Sequence, residues 1–275
     1  LEAAEGMFQG HQGIELFYRK IPASGAPARG AVIAVHGLGD HSGGLQNLWG
    51  MLTEGGYHVY AFDLRGHGRS SGSRGFIRDW EEYRGDLHAF RTMVASEIAE
   101  LPLYLAGHSL GGVVCADYAL YHGRELSGLM LIAPALSYEA TFWEKCLIAC
   151  MAQIKPDLTV RKQGSADALT CIPEIRARLV SDPWRHNAVT PGLGLGLMRA
   201  IKRIRSQAHA IQVPLLLQYG LDDAITPPAQ LQAFFDTVGI ANRQKFEYEA
   251  VRHRPFEDEG RETFGADLLG WLNRH

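Results

Sequence analysis

The chain has 275 residues, room for one large sheet-based domain with an insertion, and 46% hydrophobic against 21% charged residues supply a substantial core and exclude a disordered chain. A formal net charge of -3, with both signs scattered, leaves no basic field to gather phosphate backbones and excludes nucleic acid as a partner. Nowhere do about 18 apolar residues run uninterrupted, and residues 1–10 are acidic where a secretory leader is basic and then apolar, so a soluble, cytoplasmic protein is expected. Because the chain starts at Leu1, a leader removed upstream stays compatible with this reading.

Two half-buried strands come first, Gly6–Gln9 and Ile14–Ile21, joined by the His11-Gln12-Gly13 turn in a hairpin. Buried strands follow at Ala31–Val35, Val59–Phe62, Leu103–Ala106, Leu129–Ile132 and Pro214–Tyr219, each an apolar run stopped by Gly, Asp or Pro. A last strand, Lys245–Val251, alternates Phe246, Tyr248 and Ala250 against Lys245, Glu247 and Glu249. Helical patterns near Asn47–Glu54, Trp80–Ala99, Gly112–Tyr121, Ala229–Thr237 and Arg261–Leu272 fill the crossovers. The alternation predicts an α/β fold with a mostly parallel central sheet and helices on both faces. The interval 137–207 holds no convincing strand and is too long for an ordinary connection, so it is read as a helical cap on a core formed by 1–136 and 208–275.

Gly107-His108-Ser109-Leu110-Gly111 lies between an apolar strand and a helical pattern, the context of a nucleophile elbow. Such a turn strains the serine backbone and needs small neighbours, which Gly107, Gly111 and Gly112 provide. A serine hydroxyl attacks only when a base removes its proton. With the chain order serine, acid, histidine, His253 and His275 are the candidates, and His253, directly after the last strand, is preferred over the terminal residue. The acid that orients it belongs in the loop Gly220-Leu221-Asp222-Asp223, where position leaves both aspartates open. The glycine loop His36-Gly37-Leu38-Gly39 ends the first buried strand, so the backbone amides of Leu38 and Leu110 are assigned as the two oxyanion donors.

His36 to Gly43, the Asp63-Leu64-Arg65-Gly66-His67-Gly68-Arg69-Ser70 segment, the elbow, and Tyr248 to His253 together resemble the monoacylglycerol lipase and lysophospholipase-like branch of the α/β-hydrolases over nearly the whole chain. The resemblance implies the α/β-hydrolase fold, a Ser109–His253–Asp223 triad with the acid three residues after Gly220, and carboxylic ester hydrolysis through an acyl-enzyme. The triad requires no metal or organic cofactor. Alternatives on the same triad are a short-chain carboxylesterase or a thioesterase, and, from a different class, a non-catalytic ligand-binding protein on this scaffold. Position 40 is Asp where the branch more often has Glu, and Gly44-Leu45 stands where Arg-Tyr is common, so the mouth of the substrate site is expected to differ.

The cap carries two further expectations. Phe142 to Met151 has only Glu144 and Lys145 as polar residues, so part of that helix should line a greasy pocket or meet lipid. Leu193, Leu197, Ala200 and Ile204 recur at helical spacing among Arg199, Lys202, Arg203 and Arg205, which reads as a helix on anionic headgroups, with Gly192, Gly194 and Gly196 as a lid hinge. A lipid ester is thus the expected partner, met at a membrane surface. Cys115, Cys146, Cys150 and Cys171 lack metal-ligand spacing and are read as buried free thiols.

Overall fold

A computed structural model describes residues 3–98, 100–137, 141–161 and 164–275. The hairpin forms as expected, with β1 (Ala4–Gln9) antiparallel to β2 (Glu15–Ile21) across a turn in which Gln12 and Gly13 both have positive φ. The chain continues through β3 (Gly30–Val35), α1 (Gln46–Glu54), β4 (Tyr57–Phe62), α2 (Glu81–Glu97), β5 (Leu103–His108), α3 (Leu110–His122) and β6 (Gly128–Ile132). Then come α4 (Phe142–Ile154), β7 (Val160–Arg161), α5 (Pro173–Ser181), β8 (Ala188–Val189) and α6 (Pro191–Gln207). The core closes with β9 (Leu215–Gly220), α7 (Pro228–Thr237), β10 (Arg243–Tyr248) and α8 (Arg261–Leu272).

Eight strands form one sheet in the order β1-β2-β4-β3-β5-β6-β9-β10, parallel from β4 onward, and the strand order reverses on either side of β3. Such a switch opens a crevice at the carboxyl ends of the strands. Both faces are covered: Ala31, Ile33 and Val35 of β3 join one apolar cluster with α2, α3 and α6, while Val32 and Ala34 join the other with α1 and α8. That is why these strands read as continuous apolar runs.

Boundaries differ from expectation where local chemistry intervenes. β10 stops at Tyr248 because Ala250 turns the chain with φ +59. The helix expected from Gly112 starts at Leu110, directly after Ser109. Ala99, the expected end of the second helix, lies outside the described residues, as do 138–140 and 162–163 of the interval between β6 and β9. That interval does hold strand structure, the two-residue pair β7 and β8.

Its helices are placed differently from each other. In α6, Leu193, Ala200, Ile201 and Ile204 are buried in the main core, and Arg203 reaches the buried Asp117 of α3 at 2.6 Å. The apolar stripe therefore faces the protein, which overturns the expectation of a headgroup-lying helix. Its glycines serve close approach rather than hinging: a Cβ on Gly192 would meet Ile77 O at 2.6 Å, and one on Gly194 would meet Ile148 of α4 at 3.3 Å. No residue of α4 is buried, and Phe142, Trp143, Leu147 and Ile154 are 69%, 78%, 61% and 69% exposed. Only Cys115 is a fully buried thiol; Cys146 and Cys150 stand exposed on α4, which corrects the reading of all four as buried. Among the described residues no helix is long and apolar enough to cross a membrane.

Candidate active site

Four loops meet at the carboxyl edge of the sheet. Ser109 leaves β5 with φ +54 and ψ -117, a conformation that costs of order 1–3 kcal/mol for a residue with a Cβ. The surrounding backbone holds it there, since Ser109 N donates to Ile132 O at 3.1 Å and Ser109 O accepts from Ala135 N at 3.0 Å. The glycines beside it are required for contact: a Cβ on Gly107 would lie 2.5 Å from Gly111 O, and one on Gly111 would lie 2.2 Å from Val35 O.

The loop after β3 runs alongside. Val35 pairs with Gly107, and a Cβ on Gly37 would touch Ser109 Cβ at 3.0 Å and its Oγ at 3.5 Å. Asp40 N donates to Gly37 O at 3.2 Å, making a turn centred on Leu38 and Gly39, the latter with φ +69. Leu110 directly follows Ser109 at the start of α3 with its side chain buried, and Leu38 follows Gly37 in the neighbouring loop with its side chain exposed. Behind them His36 is locked in one tautomer. Its Nδ1–H donates to Gly37 O at 2.8 Å and its Nε2 accepts from Leu64 N at 2.9 Å. Burial keeps this ring neutral by lowering its pKa.

Asp223 and His253 meet as an ion-pair-capable couple, His253 Nδ1 to Asp223 Oδ2 at 2.8 Å, both buried. Asp223 Oδ1 also accepts from Ile225 N and Thr226 N, each at 2.8 Å, and Thr226 Oγ1 bonds Oδ2. Burial alone would raise this carboxyl, but the His253 charge, its hydrogen bond and those from Thr226 hold it below the usual range. Asp222 is exposed, and its amide donates to Val251 O at 3.0 Å. The structure thus separates two aspartates that position left open. Gly220 makes the approach possible, because a Cβ there would sit 2.0 Å from Val251 O.

Three residues not singled out from the sequence complete the arrangement. Thr226 lies 3.4 Å from His253 Nδ1 as well as on Asp223. An Asp followed three positions later by Thr is a turn signal that could have pointed to it. His108 Nε2 donates to His253 O at 2.9 Å and joins the base loop to the residue before Ser109. Arg254, next to His253, bonds Asp40 Oδ2 at 2.5 Å and also Gly44 O. In the glycine loop a Cβ on Gly44 would lie 2.0 Å from Asp40 Oδ1, so Gly44 leaves the room that the Asp40 carboxylate occupies.

Among the described residues one group has metal-ligand spacing, His88 of α2, His122 at the end of α3 and Glu125 just past it. It lies apart from the Ser109 loops, and Glu125 there is already paired with Arg91 at 3.0 Å.

A family model described as serine aminopeptidase, S33, matches residues 26–260. The chain is 28% identical to a monoacylglycerol lipase of Mycolicibacterium smegmatis, over 99% of this chain and 98% of that one. It is 31% identical to the solved Paleococcus ferrophilus monoacylglycerol lipase, with a TM-score of 0.85, covering 94% of this chain and 98% of the other. A soluble variant of the Saccharomyces cerevisiae monoglyceride lipase, 24% identical, superposes with a TM-score of 0.88 over 100% of this chain and 95% of its own, and shows the shared fold. With the elbow, the sheet order and these matches in agreement, the chain belongs to the serine aminopeptidase S33 family of α/β-hydrolases.

Proposed function

We propose that this protein is a serine hydrolase that cleaves the carboxylic ester of monoacylglycerols or similar lipid monoesters, with Ser109 as nucleophile, His253 as base and Asp223 as orienting acid. The observation that carries the reading is the buried Asp223–His253 pair in the loops beside the strained Ser109 elbow. Ser109 Oγ attacks the carbonyl carbon while its proton passes to His253 Nε2, the nitrogen that the Asp223 bond on Nδ1 leaves as acceptor. The amides of Leu38 and Leu110 hold the oxyanion, His253 protonates the leaving glycerol oxygen, and an acyl-Ser109 remains. Water deprotonated by His253 then attacks the acyl carbon and releases the fatty acid, which restores the serine. No step calls for a metal or an organic cofactor.

A lipid ester is favoured over a peptide despite the family's description. An aminopeptidase must hold its substrate's ammonium, yet Asp40 and Glu257, the acids of the two loops nearest Leu38 and His253, are already paired with arginines. The bare apolar surface of α4 argues for a greasy substrate over a short soluble ester or thioester. It also supports reading 137–207 as a cap that meets a membrane through α4, set on a core of 1–136 and 208–275. A non-catalytic binding protein would have no use for the strain at Ser109.

The test is a hydrolysis panel of long-chain monoacylglycerols, lysophospholipids, acyl thioesters and acetyl esters, with four variants. Ser109→Ala and His253→Ala should each remove nearly all turnover. Asp223→Asn should lose about 10³- to 10⁴-fold in kcat by favouring the wrong histidine tautomer, and Asp222→Asn should lose little. Preference for acetyl esters or thioesters overturns the lipid assignment, and the reverse ranking of the aspartates overturns the acid.

A further inference from the structure

Asp40 sits two residues after Leu38, is buried, and is held from two sides. From the base loop, Arg254 Nη1 donates to Asp40 Oδ2 at 2.5 Å. From the segment before β8, Arg185 Nη1 stands 2.6 Å from Asp40 Oδ1. Both cations, set against the burial that would raise it, hold the Asp40 carboxyl well below the usual carboxylate range. Arg254 is itself buried and extends the chain of charges, bonding Glu257 Oε2 through Nε at 2.6 Å, while Arg178 of α5 takes the other Glu257 oxygen.

The same stretch that carries Arg185 grips the glycine loop at two neighbouring points. His41 Nε2 lies 2.8 Å from Asp182 Oδ2, and His186 N donates to Gly39 O at 3.0 Å. Gly39 is so close that a Cβ would fall 2.0 Å from His186 O. Three successive residues of the loop, Gly39, Asp40 and His41, are therefore each held by a residue from 182–186.

We propose that Asp40, Arg254 and Arg185 are positioning residues that fix the Leu38 loop and the His253 loop as one unit, so that the inserted segment 182–186 is part of what holds the oxyanion donor in place. This rests on the roles proposed above for Leu38 and His253. Buried ion pairs add little net stability, because desolvation offsets much of their attraction, but they penalise every arrangement that separates the partners. At an oxyanion site that penalty matters, since a donor misplaced by about 1 Å costs on the order of 100-fold in rate. The insertion is then more than a cover: withdrawing 182–186 would loosen the loop that carries the Leu38 amide.

The experiment compares Arg185→Met, Arg185→Lys and Asp40→Asn with the parent on a soluble p-nitrophenyl ester. Rates are expressed per site titrated with a fluorophosphonate, which removes any unfolded fraction from the comparison. Arg185→Met leaves the Asp40–Arg254 bond intact and keeps the test available if Asp40→Asn fails to fold. The expected result is a kcat about 10- to 100-fold lower in Arg185→Met with KM within about twofold, and recovery of most of the loss in Arg185→Lys. The inhibition constant of a trifluoromethyl ketone, whose adduct oxygen occupies the oxyanion site, should rise by the same factor as kcat/KM falls. Parent-like kcat per site and an unchanged ketone constant in Arg185→Met overturn the proposal. Loss of turnover in Ser109→Ala decides the triad separately, so failure of the triad and failure of the clamp are told apart.

Discussion

Helices α4 and α6 both lie between β6 and β9 and are both rich in apolar residues, yet one is bare and the other is part of the core. In α6 the apolar positions fall on one stripe, which meets the sheet-covering α3, and the charged side adds Arg203 to Asp117, where Arg84 of α2 also converges at 2.9 Å. In α4 apolar residues go all round, and its main partner is α6 itself, through Ile148 at Gly194. A helix that is apolar on every side cannot bury itself on one neighbour. The chain between β6 and β9 thus has an anchored part, from β8 through α6 together with 182–186, and an open part at α4. Amphipathicity identifies the face that wants cover; what covers it depends on the rest of the fold.

The contrast can be broken most forcefully at the anchored helix. Ile204→Ala should destabilise the protein by about 2–5 kcal/mol, read from the urea midpoint at unchanged slope, because Ile204 is fully buried. A similar loss on Leu147→Ala, in α4, would erase the distinction; the expected change there is within about 0.5 kcal/mol.

A somewhat smaller effect should mark the open helix. Trp143→Ser combined with Leu147→Ser should weaken sedimentation with phospholipid vesicles about tenfold, or about 1.4 kcal/mol, since side chains that enter lipid only in part gain less than the about 1.5–3 kcal/mol each of full burial. Hydrolysis of a soluble acetyl ester should stay unchanged. Equal loss on soluble and vesicle-borne substrates would mean that α4 shapes the site rather than meeting a surface.

Thiol chemistry gives a third handle. Cys146 and Cys150 are exposed on α4 and Cys115 is buried, where burial also pushes its thiol up. In the native protein, Ellman's reagent should label the α4 thiols promptly and Cys115 only on unfolding. Prompt labelling of Cys115 would show that the core under α6 opens readily.

The smallest expected effect concerns acid. The His67 and His186 rings lie 4.6 Å apart, tilted by 44°, with His36 at 5.2 Å from His67. Burial, then Arg74 and other nearby positive groups, lowers His186 to about 4, and burial holds His67 well below its ordinary value. These rings stay neutral when folded but take up protons when unfolded below about pH 6.5. The His186 contribution is therefore full above that pH and is lost as pH falls from about 6.5 towards 4, and that of His67 is lost in the same direction. Asp223 and Asp40, with lowered carboxyl values, hold theirs until lower pH still. Urea midpoints at pH 7, 5.5 and 4.5 should decline, and less steeply in His186→Phe. An unaltered slope would place the acid sensitivity elsewhere.

What could be read in advance follows from how local each signal is. The elbow was legible because Gly107, Ser109 and Gly111 are neighbours whose sizes answer to one another within five residues. The parallel strands were legible from apolar runs that must be buried on both faces. Position alone did not separate Asp222 from Asp223, and only the resemblance pointed to Asp223, since the choice depends on the turn that Gly220 makes against Val251 O, a contact between distant segments. The Asp40–Arg254 bond spans 214 positions and leaves no local pattern. The stripe on α6 was real and its direction was misjudged, because nothing within the helix records the buried Asp117 on α3.

The central claim, an acyl-enzyme on Ser109, is tested most directly by intact-mass and peptide mass spectrometry of the protein after brief exposure to a long-chain monoacylglycerol and acid quench. The account predicts one acyl adduct per chain, confined to the peptide carrying Ser109, accumulating when water attack is slowed and absent in Ser109→Ala. Turnover of the ester with an adduct on any other residue, or persisting in Ser109→Ala, would contradict it.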